Sequence, residues 1–415
     1  MQSKNKIHYG WIIVASGVIM TACVMGVYSM TNSAFIIPIC EELGFSRAEH
    51  SLHKTLITLL SAALLPLYSR LFERVPIRRM LLLCTAGLAA ANLGYAISMK
   101  LWHFYVFAFI YGLFSNGFSF LIIGTLINRW FIGKKALATA IAYCGSGLGG
   151  ALFMPIVSAV IDSFGWRMAY LCNALFVTVV LTLTVLFVVK ARPEDMGLKP
   201  YEEVPPAKNQ RNDRPARNDL PLEAGAGRNL CIAFVAVAFL SLSLSCCGPN
   251  THTTAYLQDI GYTPMAAAAI MSVAMVMLTV GKLVLGILYD RFGTLVGNIV
   301  VGSCCALFPI LALFADIPAI AQIYAFTLGM ATSGYSVPVS VLVSKYFGSE
   351  SFPKLFSICS LLTTLGGAAS IPLMGLAFDV YGSYVLAWIV IAVLGVVGGL
   401  CVIFAELQYR AAKEK

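Results

Sequence analysis

The stretch LTVGKLVLGILYDRFG, from Leu278 to Gly293, decides the fold. It is apolar for most of its length, carries one cation in its interior, Lys282, and ends in the charged pair Asp290-Arg291. Apolar residues continue upstream to about position 264, and a helix of roughly 20 such residues crosses the ~30 Å hydrocarbon core of a bilayer. The stretch therefore predicts a membrane-spanning helix with one ammonium group at depth.

The rest of the chain has the same character. Of its 415 residues, 59% are hydrophobic and only 11% are charged, whereas about a quarter of the residues of a soluble domain are charged. Segments that are long and apolar enough to span a bilayer lie at approximately 9–39, 47–70, 79–99, 103–128, 136–161, 167–190, 229–257, 264–289, 295–315, 318–343, 353–377 and 384–407. We therefore predict an all-α membrane protein with twelve transmembrane helices.

The basic residues predict the orientation. Only three of the 28 Lys and Arg, namely Arg47, Lys100 and Arg167, lie in the short connections after the first, third and fifth segments. Nearly all the others lie at the termini or in the opposite connections. By the positive-inside rule both termini are predicted to be cytoplasmic, and we expect a bacterial cytoplasmic (inner) membrane. The net charge of +9 is scattered over separate loops, which argues against a nucleic-acid partner.

An internal repeat divides the chain. A Pro-rich, charged stretch at 191–228 predicts a cytoplasmic linker between an N-terminal six-helix bundle at 1–190 and a C-terminal one at 229–415. The halves match at an offset of 217 positions, which pairs ELGFS (42–46) with DIGYT (259–263), Glu73-Arg74 with Asp290-Arg291, Gly149-Gly150 with Gly366-Gly367, Pro155 with Pro372, Asp162 with Asp379 and Gly165 with Gly382. Such parallel repeats predict a substrate site between the bundles near the membrane midplane.

These features resemble the major facilitator superfamily, whose helix count, central linker and G-x-x-x-D-R-x-G element (Gly286, Asp290, Arg291, Gly293) are matched here. Four further motifs resemble its monocarboxylate porter and oxalate/formate antiporter branch: NRWFIGKKALA (128–138), GSGLGGALFMP (145–155), RPEDMGLKP (192–200) and HTTAYLQDIGY (252–262). The resemblance implies a secondary active transporter in which a monomer is sufficient, rather than an enzyme, and it implies no cofactor.

The first-half copy of the gating element departs from the family pattern. SRLFERVPIRR (69–79) has Ser69 and Pro76 in place of the two glycines, and Glu73 in place of the aspartate. The predicted gating residues, which would latch one conformational state, are Glu73, Arg74, Arg78, Arg129, Asp290 and Arg291. The alternative is that these side chains are simply solvated at helix ends.

The distribution of charge predicts the class of cargo. No Asp or Glu lies deep inside any of the twelve segments, and transport of a cation, or a carboxylate proton relay, needs such a group at depth. Lys282 lies about 12 Å from Asp290 along the helix, where a lysine costs about 2.5–3.5 kcal/mol unless it faces water or a partner. The sequence therefore predicts that an organic anion pairs with Lys282, with snorkelling to the interface as the alternative.

The resemblance sharpens this prediction. Relatives carry an arginine at the position of Lys282, where it holds the substrate carboxylate, and oxalate carriers have a lysine at the position of Cys359. Without that second cation, a small monocarboxylate such as lactate, pyruvate or formate is implied. The resemblance also supports pocket roles for Asn116 and Tyr335, which would otherwise be assigned to helix–helix hydrogen bonding.

Other candidates come from polar residues within the segments. His252 is the one histidine predicted to lie in a membrane interior; it is a candidate substrate ligand and proton-coupling residue because an ordinary histidine pKa suits proton symport. A hydrogen-bonded core histidine is the alternative. Tyr28 and Asn32 are weaker substrate-binding candidates. His50, His53 and Lys54 predict a solvated helix entrance, with attraction of anions into the outward vestibule as the alternative.

Proton symport is the predicted coupling, because a proton loaded with the anion keeps the passage through the membrane neutral. An anion exchanger and a non-transporting, transporter-like receptor are the alternatives. The twelve cysteines show no metal-ligand spacing and are predicted to be apolar packing residues. The predicted partners are thus a small organic anion, a proton and the lipid bilayer.

Overall fold

The computed structural model describes residues 8–132, 135–202, 225–334 and 337–414. Within these ranges the chain is helical, and the only extended pairing is an isolated bridge between Phe131 and Tyr201. The described residues fall into two compact units: unit 1 within 1–43 and 56–208, and unit 2 within 44–55 and 209–415. The all-α class predicted from the apolar segments is confirmed.

The first half of the chain contains seven α-helices. They are α1 (Tyr9–Thr21), α2 (Ile36–Leu43), α3 (Arg47–Arg74), α4 (Ile77–Ala96), α5 (Leu101–Ser115), α6 (Phe120–Trp130) and α7 (Lys135–Leu183). A π-helical turn at Ala22–Met30 and a 3-10 turn at Thr31–Phe35 join α1 to α2. Gly165, with φ 81° and ψ 163°, interrupts α7 between the predicted fifth and sixth segments. The first residues of α3 belong to unit 2, and from Leu56 onward α3 belongs to unit 1.

The second half contains six α-helices. They are α8 (Ala226–Asp259), α9 (Pro264–Phe292), α10 (Thr294–Ala312), α11 (Pro318–Gly334), α12 (Val337–Tyr381) and α13 (Val385–Glu414). α12 continues through 344–352, where the sequence predicted a connection between two segments. The reason is that the polar residues there end an apolar run without ending the helical backbone, since polar side chains are compatible with a helix.

Ten helical stretches of the described chain are long and apolar enough to cross a membrane. One of them, Leu137–Val188, has 52 residues and covers the fifth and sixth predicted segments. The predicted tenth segment is shared between α11 and the beginning of α12. The chain is therefore a multi-pass membrane protein.

The backbone repeats at the same offset as the sequence. Gly44 (φ 70°) and Gly261 (φ 103°) are separated by 217 positions, and so are Gly165 (φ 81°) and Gly382 (φ 64°). A positive φ is readily available only to glycine, so these residues fix where consecutive helices turn. The starts of α3 and α9, of α4 and α10, and of α5 and α11 are also 217 positions apart. The predicted two-repeat architecture is confirmed at these helix ends.

Small residues allow close helix packing inside each unit. In unit 1, a Cβ atom on Gly26 would lie 2.7 Å from the Cα atom of Gly149, and one on Gly149 would lie 2.6 Å from the carbonyl oxygen of Ala22. In unit 2, a Cβ atom on Gly366 would lie 2.9 Å from the carbonyl oxygen of Leu240. Small residues give membrane helices the close approach that van der Waals packing needs. The motif GSGLGG and its repeat therefore serve as helix crossings.

The beginning of the predicted linker packs on unit 1. The amide of Ile132 donates to the carbonyl of Tyr201 at 2.9 Å, and the amide of Tyr201 donates to the carbonyl of Trp130 at 2.7 Å. A short 3-10 turn at Pro193–Met196 precedes this contact. Residues 203–224 of the predicted linker lie outside the described residues.

Candidate functional site

Lys282 lies on α9, half-buried, within the apolar stretch Pro264–Tyr289. The preceding residue packs tightly, since a Cβ atom on Gly281 would lie 2.7 Å from the Oγ atom of Ser333 on α11. One turn earlier, Thr279 is buried and donates to the carbonyl of Met275 at 3.4 Å. The packing of α9 on α11 therefore sets the position of the ammonium group in unit 2.

His252 lies on α8 and is completely buried in unit 2. Its Nδ1 atom lies 3.0 Å from the hydroxyl of Tyr384, and its Nε2 atom lies 3.0 Å from the carbonyl of Ile371 and 3.2 Å from the hydroxyl of Ser51. Both ring nitrogens are thus hydrogen-bonded to the protein. The two histidines on the neighbouring α3, His50 and His53, are 0% and 1% exposed. The predicted solvated entrance at these two residues is wrong, because this part of α3 packs into unit 2.

A cluster that the sequence did not single out lies next to His252. Arg47, at the first position of α3, makes a bidentate ion pair with Asp259, through Nη1 to Oδ2 at 2.5 Å and Nη2 to Oδ1 at 2.8 Å. Its Nη1 atom also donates to the hydroxyl of Tyr384 at 2.9 Å. The guanidinium stacks over the ring of Phe378, 3.6 Å from its centroid. Planar guanidinium groups favour such combined stacking and bidentate pairing.

The carboxylate of Asp379 fixes the start of the same helix. Its two oxygens accept hydrogen bonds from the backbone amides of Arg47 at 2.9 Å and Ala48 at 2.8 Å. The first amides of a helix have no partner within the helix, and an anion near them is favoured by the helix dipole. Asp379 of α12 therefore caps α3. We call Arg47, Asp259, Asp379 and Tyr384 the Arg47 cluster.

The remaining described pocket candidates lie in unit 1. Asn116 directly follows α5 and is 3% exposed, and its amide donates to the carbonyl of Ser61 at 3.0 Å. Tyr28 and Asn32 are each 9% exposed. The Tyr28 hydroxyl donates to the carbonyl of Asn173 at 3.4 Å, and its ring makes an edge contact with Tyr111. Tyr335 lies outside the described residues. The structure thus assigns Tyr28, Asn32 and Asn116 to unit 1, and Lys282 and His252 to unit 2.

The predicted gating residues have different surroundings. Arg74 and Arg291 are exposed. The guanidinium of Arg129 lies over the ring of Phe72, 4.3 Å from its centroid, and Arg78 donates from Nε to the carbonyl of Val189 at 2.9 Å. The side chains of Glu73 and Asp290 lie outside the described residues.

The contact of Arg78 is one of three at the end of the sixth predicted segment. The carbonyls of Val188, Val189 and Lys190 accept hydrogen bonds from the Tyr9 hydroxyl at 2.8 Å, the Arg78 guanidinium at 2.9 Å and the Trp130 indole at 3.1 Å. The last carbonyls of a helix lack helical partners, and a cation is favoured beside them. Three other helices of unit 1 thus supply the side chains that cap this helix end.

A buried carboxylate lies near the end of the last predicted segment. Glu406 is close to the end of the segment predicted at 384–407, and its side chain on α13 is 0% exposed. It accepts hydrogen bonds from Thr294 at 2.6 Å, Tyr346 at 2.7 Å, Arg410 at 3.0 Å and Lys345 at 3.3 Å. Pairing with cations and hydrogen-bond donors is what makes burial of a carboxylate tolerable. Two cations of unit 2 therefore already compensate Glu406.

The Arg47 cluster could have been found from positions at which the two repeats carry different residues. The repeat partner of Arg47 is Pro264, which has no charge and no N–H, and the partner of Tyr384 is Arg167. In unit 1, Arg167 pairs with Glu42, the repeat partner of Asp259. The two units therefore neutralise equivalent carboxylates with arginines from different helices.

Comparison with known proteins places the chain among transporters. The sequence model of the Major Facilitator Superfamily matches residues 17–321 and 233–415. The chain is 24% identical to monocarboxylate transporter 13 of Rattus norvegicus over 402 residues, which cover 92% of this chain and 85% of that protein. It is also 24% identical to monocarboxylate transporter 12 of Homo sapiens over 430 residues, or 98% of this chain and 82% of that protein.

Solved structures show the same fold. A mutant of the nucleoside transporter NupG superposes with a TM-score of 0.73 at 16% identity, over 95% of this chain and 99% of that one. A bacterial homolog of the human lysosomal transporter Spinster, in an inward-facing and occupied conformation, gives a TM-score of 0.67 at 13% identity, over 99% and 98% of the two chains. At these identities the likeness concerns the fold alone.

Proposed function

The chain belongs to the Major Facilitator Superfamily, and we propose that it carries a small monocarboxylate, such as lactate, pyruvate or formate, across a membrane by proton symport with alternating access. The observation that carries this proposal is the similarity to monocarboxylate transporters 12 and 13 over more than nine tenths of the chain. The chain is a transporter and not an enzyme; its cargo and coupling are the proposed part.

Lys282 is proposed to pair with the substrate carboxylate. In support, its ammonium group belongs to a helix long and apolar enough to span a membrane, and it is half-buried there. A cation at such a depth marks a substrate or ion pathway more often than a packing position. Asn116, Tyr335, His252, Tyr28 and Asn32 are the proposed hydrogen-bonding residues of the pocket.

An anionic cargo is further supported by the surroundings of Glu406. A buried carboxylate would favour a cationic substrate if it lacked a counter-charge. The ammonium of Lys345 and the guanidinium of Arg410 both contact it, so this carboxylate needs no cation from the cargo. Cys359, buried on α12, supplies no second positive charge for a dianion, which favours a monocarboxylate over oxalate.

Proton coupling is proposed through His252. A carboxylate that crosses with one proton carries no net charge, so the pair avoids most of the cost of moving an ion through hydrocarbon.

We further propose that the protein lies in a bacterial cytoplasmic membrane with both termini in the cytoplasm. Its two bundles, at 1–190 and 229–415, would be joined by the linker at 191–228. The proposed latch consists of Glu73, Arg74, Arg78, Arg129, Asp290 and Arg291. A monomer suffices for this mechanism.

Uptake by proteoliposomes tests the proposal. Purified protein is reconstituted, and uptake of labelled lactate, pyruvate, formate and oxalate is measured with and without an inside-alkaline pH gradient. Symport predicts monocarboxylate uptake that the gradient accelerates and that oxalate does not match. Exchange that requires preloaded substrate and ignores the gradient would instead identify an anion exchanger. Ligand binding without any flux would identify a transporter-like receptor.

A further inference from the structure

The Arg47 cluster and His252 form one continuous hydrogen-bonded chain inside unit 2. Arg47 joins Asp259 to Tyr384, and Tyr384 joins Arg47 to the Nδ1 atom of His252. The side chains of Arg47 and Asp259 are 11% and 24% exposed, whereas His252 is completely buried. This hydrogen-bonded network thus connects a buried imidazole to an ion pair that reaches the surface of the unit.

The donor and acceptor roles within this hydrogen-bonded network assign the protonation state of His252. The Arg47 guanidinium can only donate, so the Tyr384 oxygen is its acceptor, and the single hydroxyl proton of Tyr384 is directed to Nδ1. The carbonyl of Ile371 can only accept, so Nε2 carries a proton. The network therefore corresponds to a neutral imidazole protonated at Nε2, as inferred from its hydrogen-bond partners.

A second proton on His252 would conflict with this network. An N–H at Nδ1 would point at the Tyr384 oxygen, which already accepts from Arg47. The hydroxyl proton of Tyr384 would then lose its acceptor, and two cations would share one oxygen. We propose that Arg47 and Tyr384 are positioning residues that hold His252 in its Nε2–H form, and that uptake of a second proton by His252 releases Arg47 from Tyr384.

Release of Arg47 would undock the first two turns of α3. This part of the helix is held on one stripe of α12: Thr55 donates to the carbonyl of Ala368 at 2.8 Å, and Asp379 caps the helix. Between them, a Cβ atom on Gly375 would lie 2.7 Å from the amide nitrogen of Ala48. Residues 44–55 are grouped with unit 2, although the repeat assigns them to the first half. Protonation of His252 and docking of residues 44–55 would therefore oppose each other.

The repeat indicates that this arrangement is specific to the second half. The partners of Arg47, His252 and Tyr384 at the offset of 217 are Pro264, Phe35 and Arg167. None of these three substitutes reproduces the arginine–tyrosine–histidine chain. Both units neutralise the carboxylate at this helix end, but among the described residues only the carboxylate of unit 2 is connected through an arginine and a tyrosine to a histidine.

Other charged and titratable groups lie near His252 or near its neighbours and affect any measurement made as a function of pH. Those near His252 itself are Arg47, His50, Lys54 and Tyr384, those near Tyr384 are Tyr256, Asp259 and Asp379, and His53 lies beside His50. Substitution of His252 itself is needed to separate its titration from theirs. The inference rests on the proposed proton symport, but it concerns the conformation of residues 44–55 and can be tested without transport.

Hydrogen–deuterium exchange of the purified chain in nanodiscs tests the inference. The exchange of residues 47–55 is divided at each pH by that of their repeat partners, residues 264–272, which removes the intrinsic pH dependence of amide exchange. In the wild-type chain we expect relative protection of 47–55 to fall as pH decreases, by up to about tenfold per pH unit for a single proton. His252→Gln and Tyr384→Phe should each give a ratio independent of pH.

Tyr262→Phe is the matched control, because its hydroxyl donates to the carbonyl of Ala315 at 2.9 Å and is not part of the chain that leads to His252. It should retain the wild-type pH dependence. A pH-independent ratio in the wild-type chain, or an unchanged pH dependence in His252→Gln, would overturn the inference. If proteoliposomes take up monocarboxylates but the exchange ratio does not depend on pH, only this inference is rejected. If the exchange ratio depends on pH but no monocarboxylate is taken up, only the proposed cargo is rejected.

Discussion

The carboxylate of Glu406 lies 3.3 Å from the ammonium of Lys345, although the two residues are 61 positions apart. The same carboxylate accepts a hydrogen bond from Thr294, the first residue of α10. Thr294 follows Gly293, whose φ of 84° turns the chain directly after the predicted gating pair Asp290-Arg291. Glu406 therefore fixes the start of α10, directly after the turn that follows the second copy of the gating element.

Glu406→Gln should destabilise unit 2. The amide keeps an acceptor for Thr294 or Tyr346 but leaves Lys345 and Arg410 without a counter-charge. Loss of a fully buried ion-pair partner costs about 3–5 kcal/mol. Because the side chains of Lys345 and Arg410 are 25% and 50% exposed and can reach water, we expect a smaller loss of about 1.5–3 kcal/mol. Denaturant unfolding in detergent, monitored by fluorescence, measures it.

Glu41→Gln is the matched control, since Glu41 is exposed and its substitution should change stability little. Lys345→Met combined with Glu406→Gln should cost less than the sum of the two single changes, because the partners share one interaction. Strict additivity, or equal stability of Glu406→Gln and Glu41→Gln, would contradict an ion pair that stabilises the protein.

Arg78→Gln should loosen the end of the sixth predicted segment. Arg78 donates to the Val189 carbonyl in a charged hydrogen bond, and such bonds contribute about 1.5–3 kcal/mol. We expect faster deuterium exchange at residues 184–190 in this variant. The neighbouring Arg79 is exposed, so Arg79→Gln should leave the exchange unchanged. Equal exchange in the two variants would exclude a capping role for Arg78.

The sequence predicted those features that depend on local chemistry. Apolar length predicted the spans. The repeat paired the glycines at which the structure has turns, because a positive φ such as that of Gly44 or Gly261 is readily available only to glycine. The composition of the segments was enough for the fold class. The continuous α12 was missed because polar residues mark the end of an apolar environment and say little about the end of a helix.

Contacts between residues far apart in the sequence could not be predicted from the local sequence pattern. Nothing near Arg47 in the sequence indicates that it pairs with Asp259, which is 212 positions away. The burial of His50 and Glu406 was missed for the same reason, since their partners or neighbours come from distant helices. The candidate site was therefore predicted as a set of residue types, whereas its hydrogen-bond partners required the structure.

Gly375→Ala should displace the start of α3. The added Cβ atom would lie 2.7 Å from the amide nitrogen of Ala48 and 2.8 Å from the carbonyl carbon of Arg47, and backbone atoms cannot rotate away as a flexible side chain does. We expect a lower Tm and faster deuterium exchange at residues 47–55.

Gly286→Ala is the matched control, because a Cβ atom on Gly286 would meet no described atom within 4 Å. Gly286→Ala should leave the Tm unchanged or raise it slightly, by helix propensity of up to about 1 kcal/mol. A Tm equally lowered in both variants would point to a general intolerance of added methyl groups.

Lys282→Ala should weaken uptake by removing the proposed counter-charge of the substrate. A charged hydrogen bond contributes about 1.5–3 kcal/mol, so we expect the KM for a labelled monocarboxylate in proteoliposomes to rise about 10- to 100-fold. Lys282→Arg keeps the charge and adds a planar fork that suits a carboxylate, so it should retain uptake. Lys100 is exposed, and Lys100→Ala is the control for loss of one positive charge.

Equal KM values for the wild-type protein and Lys282→Ala would show that Lys282 is not part of the substrate site. A loss of uptake in both Lys282→Ala and Lys282→Arg, with unchanged Tm, would mean that the amine itself and not its charge is required.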